Sequence, residues 1–151
     1  MSSPAGRPRV VAIVSALCLL LLLTGCGFMQ KSMDVDYNDK QLNDGLSALV
    51  ASGGSRPLRD MTSWTWDEVH LFHEGTPGDF IEKTVGEPVI KSKFYGSKAS
   101  LLVFEDGGKP VKAVGVSGDY LRGADDRVSF PADVVVETSP RGAVQLAVPA
   151  S

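Results

Sequence analysis

Few side chains in this sequence have types and spacings that could do chemistry. The two histidines stand three apart in His70-Leu71-Phe72-His73-Glu74. With Glu74 they offer two imidazoles and a carboxylate, a donor set that can hold a metal and activate a water. On a helix that spacing brings both rings near one face; on a strand it sends them to opposite faces. The segment reads as a strand, so a shared metal would need a bulge at its end. No HExxH pattern occurs, and no third ligand follows at a telling spacing. The expectation is two histidines at a strand end and no cofactor. A small metal-dependent hydrolase using His70, His73 and Glu74 is the alternative. Trp64 and Trp66, at i and i+2, share one face of a strand. They suit an aromatic platform for a sugar, peptide or partner, or a cover for the core beneath the first helix.

The remaining motifs carry less. Gly115-Val116-Ser117-Gly118 is not followed by the strand-to-helix elbow of a serine nucleophile. Asp106-Gly107-Gly108-Lys109 lacks the further oxygens of a calcium loop and reads as a hairpin turn. Asp125-Asp126 reads as a solvated loop. Gly53-Gly54-Ser55-Arg56 has no phosphate-loop lysine. Asp67 and Glu68 are neighbours, so on a strand they point apart. No catalytic residue is assigned on these grounds.

One cysteine stands apart. Cys26 ends the run Leu23-Thr24-Gly25-Cys26, directly after an apolar stretch. Arg7 and Arg9 precede that stretch, and no acid occurs before Asp34. Val10 to Leu23 is 14 residues long, the length of a signal core and short of the roughly 20 residues of a spanning helix. The pattern resembles the lipobox of bacterial lipoproteins. That resemblance implies cleavage between Gly25 and Cys26 and acylation of the Cys26 thiol. Two or more acyl chains, at about 0.8 kcal/mol per buried methylene, hold a protein firmly on a bilayer. The implied location is the extracytoplasmic face of a cell membrane.

Removing 25 of the 151 residues leaves 126, enough for one domain with one core. All 18 acids but only 13 of the 15 basic residues lie beyond Gly25, a formal charge of −5. An acidic domain without a basic cluster argues against nucleic acid as a partner. Cys18 falls within the leader and Cys26 would carry lipid. The domain therefore has no disulfide and no thiolate metal site.

The elements that must position the candidates follow from periodicity. Residues 26–36 read as a tether and 37–151 as a single domain. Leu42, Leu46, Leu49 and Val50 form a helical stripe over Tyr37 to Ala51, capped by Asn38 and stopped by Gly53-Gly54. Trp64 to Phe72 reads as a strand. Thr76, Pro77 and Asp79 open a second helix with Phe80, Ile81, Thr84 and Val85 on its buried face, and Gly86 closes it. Strands are expected over Val89 to Tyr95, Ala99 to Glu105 and Pro110 to Ser117, then a hairpin of Asp133 to Glu137 with Ala143 to Val148. The order predicts an α+β fold, with two short helices on one face of an antiparallel sheet of about five strands.

This order, with Trp66-Asp67-Glu68-Val69-His70-Leu71-Phe72 before Thr76, is similar to that of small bacterial lipoproteins of the SmpA/OmlA kind. The resemblance covers the middle of the domain. It implies a helical pair against a three-stranded sheet and a role in envelope assembly or binding. The strand between the helices and the segment Asp133 to Val148 depart from it. The functional expectation is a lipid-anchored, non-catalytic binding domain for an envelope component or protein partner, with a structural or assembly role as a further alternative.

Overall fold

A computed structural model of the chain describes residues 32–117, 121–123 and 126–150. The leader and the Gly25-Cys26 cleavage and lipidation site lie outside the described residues.

Twelve regular elements matter here. In chain order they are β1 (Val35–Asp36), α1 (Lys40–Ser52), β2 (Ser55–Pro57), a 3-10 turn (Leu58–Met61), β3 (Glu68–Phe72), α2 (Gly78–Val85), β4 (Ser100–Asp106), β5 (Lys109–Val116), β6 (Leu121–Gly123), β7 (Ser129–Pro131), β8 (Val135–Thr138) and β9 (Val144–Ala147). They build two sheets, ordered β1-β5-β4-β3-β7 and β2-β8-β9-β6. Each sheet is antiparallel except for one parallel pair, β1 with β5 and β6 with β9.

The α+β class read from the sequence holds. The arrangement differs in detail, for a reason visible in β4. Its residues Ser100 to Glu105 are buried without alternation, so both faces of the larger sheet need cover. On one face, Leu71, Leu102, Phe104 and Val114 pack with Leu42, Leu46 and Leu49 of α1 and with Val136, Val144 and Leu146 of the smaller sheet. On the other, Phe72, Leu101, Val103 and Ala113 pack with Ile81 and Val85 of α2. The late hairpin joins a second sheet, and the two helices serve opposite faces of the first.

The ends of the helices follow local chemistry. The cap of α1 is Asp39, one residue later than expected; its Oδ1 accepts from the Leu42 N–H at 3.0 Å. Pro77 holds the cap position of α2 without a side-chain cap bond. Thr76 Oγ1 donates instead to the His73 carbonyl at 2.7 Å. Gly86 ends α2 at φ 78°, in the left-handed region glycine tolerates best. Phe80, expected inside, is about half exposed.

Several segments part from their expected roles. Val89 to Tyr95 forms no strand, only an isolated bridge of Phe94 with Pro77. The fold also begins before Tyr37. Ser32 is buried, the Met33 N–H donates to the Pro88 carbonyl at 3.1 Å, and Met33 and Val35 pack against the α2 side of the sheet. Apolar residues at 33 and 35 match the period of a strand, which draws this stretch out of the expected tether.

Candidate functional site

The two histidines part company. β3 runs Glu68–Phe72, and His73 stands just past its end. Alternation places His70 on the Phe72 face and His73 on the other. The proposed set His70, His73 and Glu74 is therefore not assembled around one point. Among the described residues, the one group able to share a metal is Glu68, His70 and Glu105, with ligand atoms all within 4.8 Å of one another.

The strand ladder makes this group. Glu68 stands opposite Glu105 across β3 and β4, and His70 lies opposite Ser129 of β7. His70 is 3 % exposed and Glu105 5 %. His70 Nδ1 lies 2.7 Å from Ser129 Oγ. Its Nε2 lies 3.3 Å from Glu105 Oε1, within ion-pair distance. Yet Nε2 makes no hydrogen bond, because the approach is poorly directed. Glu68 was visible in the sequence only as half of an adjacent acidic pair. Glu105 and Ser129 gave no signal, since their proximity to His70 exists only through strand register.

His73 and Glu74 instead line an open cleft of about 540 Å³ with Leu71, Lys98, Ser100 and Arg122. Burial, and then the nearby Arg122 guanidinium, pushes the His73 imidazole below its ordinary value. His73 Nδ1 is 3.4 Å from Ser100 Oγ, which invites comparison with a serine–histidine dyad. The hydroxyl proton, however, is donated to the Leu121 carbonyl at 2.9 Å. A base that does not receive that proton does not activate the oxygen. The cleft thus presents imidazole, carboxylate, ammonium and guanidinium groups, and its serine hydroxyl is bonded away from the imidazole.

The tryptophans precede β3 in an irregular segment rather than lying on the strand. Trp66 is 1 % exposed, and its Nε1 donates to Thr62 Oγ1 at 2.9 Å. Arg59 covers its ring at 5.4 Å and donates to its carbonyl at 2.8 Å. Trp64 is half-buried against the same core. Both rings meet Phe104 edge-on, with centroids 5.0 and 5.2 Å away. Trp66 is a core residue, and a platform built from both faces is not formed.

Asp106-Gly107-Gly108-Lys109 is the β4–β5 turn, as its glycines require, with φ of 59° at Gly107 and 73° at Gly108. The Gly107 N–H donates to Asp67 Oδ2 at 2.9 Å, so that carboxylate braces a turn. Among the described residues, no helix is long and apolar enough to cross a membrane. No known protein family, curated protein or solved structure matches the chain.

Proposed function

We propose that this chain is a lipid-anchored extracytoplasmic protein whose small α+β domain is a non-catalytic binding module for an envelope component or protein partner. The observation that carries the reading is Leu23-Thr24-Gly25-Cys26 at the end of an uncharged apolar run. The start of the fold supports it. Only residues 27–31 separate Cys26 from the buried Ser32. At 3.3–3.6 Å per residue, an extended chain from Cys26 to Ser32 spans at most about 22 Å. A lipid on Cys26 would hold the Pro88 edge of the domain beside the headgroups.

The cleft gives the binding part of the reading its surface. Its charges are mixed, and Ser100 is committed to the Leu121 carbonyl. Recognition of a polar or zwitterionic group suits such a lining better than bond cleavage.

The test has two arms. Intact-mass analysis of protein purified from its membrane should give a chain beginning at Cys26 with added acyl mass. Cys26→Ser should give unmodified protein that leaves the membrane fraction. Full-length, unlipidated wild-type protein would overturn the anchor. In the second arm, Arg122→Glu should abolish cellular function while Ser100→Ala preserves it. Loss of function in Ser100→Ala at normal protein level would favour catalysis.

A further inference from the structure

The group formed by Glu68, His70 and Glu105 has a feature that its own contacts do not explain. Two carboxylates face each other across an antiparallel pair, an arrangement that destabilises a sheet when both are charged. Glu105 is also nearly inaccessible. An ionised carboxylate at that depth needs a cation and well-aimed donors. Among the described residues, His70 is the one side chain that could supply positive charge, and its Nε2 is not aligned to donate. Glu68 has no ion pair among the described residues.

The histidine is otherwise set up as a ligand. In the tautomer whose Nδ1–H donates to Ser129 Oγ, Nε2 keeps its lone pair and, buried, has no hydrogen-bond partner. A hydrogen-bonded second nitrogen is the usual support of a metal-bound imidazole. The spacing agrees. Ligand atoms at 2.0–2.1 Å from a tetrahedral zinc lie about 3.3 Å apart, and Nε2 and Glu105 Oε1 are separated by 3.3 Å. The third ligand atom lies within 4.8 Å of the other two, so a change of the Glu68 rotamer closes the site. Glu68 is only half-buried, which leaves a path from solvent.

We infer that Glu68, His70 and Glu105 form a binding site for a divalent transition-metal ion, with zinc the preferred occupant. One imidazole and two carboxylates suit zinc or manganese better than calcium or magnesium, which take all-oxygen cages. Between the first two, the stability order favours zinc. The ion neutralises both carboxylates and joins β3 to β4. This site is independent of the lipid anchor and of the cleft around His73.

The test uses the full chain, without an affinity tag, purified in detergent and stripped with chelator. Equilibrium dialysis against zinc chloride should give one zinc per chain, and the melting temperature should rise reversibly with zinc. Cobalt(II) should give the intense visible bands of a tetrahedral site. Glu68→Gln, at a half-exposed position, should keep the far-UV spectrum and weaken zinc binding by roughly tenfold or more, a loss that even outer partners of a metal site can cause. His73→Ala should bind zinc as the wild type does. No zinc taken up at micromolar concentration would overturn the site and leave a closed His70–Glu105 ion pair. Equal uptake by wild type and Glu68→Gln, or loss of uptake in His73→Ala, would also overturn it.

Discussion

Lys112 Nζ lies 2.7 Å from Asp36 Oδ2, and this ion pair fastens the two-residue strand β1 to β5 beside it. The same ammonium sits 5.4 Å over the Trp64 ring and 3.8 Å from Asp39 Oδ2, the cap of α1. One lysine thus links the start of the fold, the first helix and the aromatic segment.

The first prediction concerns acid. The Lys112 hydrogen bond, followed by the Asn38 N–H, holds the Asp36 carboxyl below its ordinary value. A depressed folded value means the stabilisation is full above the ordinary carboxylate range and is lost as pH falls through the folded value. The pair is about a third exposed, so salt screens it. Urea unfolding of Asp36→Asn should show a flatter loss of stability under acid and a weaker salt dependence than wild type. An unchanged acid slope would count against the link.

The tryptophans make a second prediction because their surroundings differ. Trp66 fills a closed position and carries a hydrogen bond to Thr62. Trp66→Ala should cost about 3–5 kcal/mol in chemical denaturation, the range for deleting a buried large aromatic. Trp64 is only half-buried, so Trp64→Ala should cost distinctly less. Equal losses would mean that Trp64 is as much a part of the core as Trp66.

A third prediction turns on Gly78, the first residue of α2. A Cβ there would stand 2.7 Å from the Ser92 carbonyl oxygen, because the Gly78 N–H is drawn to the Lys93 carbonyl at 2.9 Å. Replacing glycine by alanine inside a helix ordinarily gains up to about 1 kcal/mol. Here a backbone atom must move, and overpacking costs about 1–3 kcal/mol. Gly78→Ala should therefore lower the melting temperature. A rise would show that the loop at Ser92 yields freely.

What the sequence disclosed was what local chemistry decides. The leucine stripe of α1, the glycine stops at Gly53 and Gly86, and the apolar runs of β4 and β5 all announce themselves through period and punctuation. The Ser139–Gly142 turn likewise marks β8 and β9 as a hairpin. Nothing local in Ser55-Arg56-Pro57 or Leu121-Arg122-Gly123 says strand, since three residues are too few for a readable period. These edge strands receive their bonds from β8 and β9, distant in the chain. Without them the hairpin looks like an extension of the meander, and the second sheet is invisible. The same holds for Glu105, which meets His70 only once β3 and β4 are in register. Strand alternation by itself sets His73 apart from His70, although His73 stands just past the end of β3.

The last prediction uses His73 itself. Its imidazole is pushed down by burial first and by the Arg122 charge second. Glu74 and Lys98 also line this cleft. When the folded value of a base lies below its unfolded value, the unfolded chain binds the proton more readily between the two. Stability therefore rises with pH across that interval and falls as the medium is acidified below the ordinary histidine range. His73→Gln removes the titrating group while keeping a polar side chain at the cleft. Its unfolding free energy should be nearly flat where the wild type slopes, and the two curves should converge above neutral pH. Arg122→Gln should leave most of the slope, because the guanidinium is the smaller cause. If Arg122→Gln instead abolished the slope, charge rather than burial would govern His73, and the cleft would be wetter than its geometry implies.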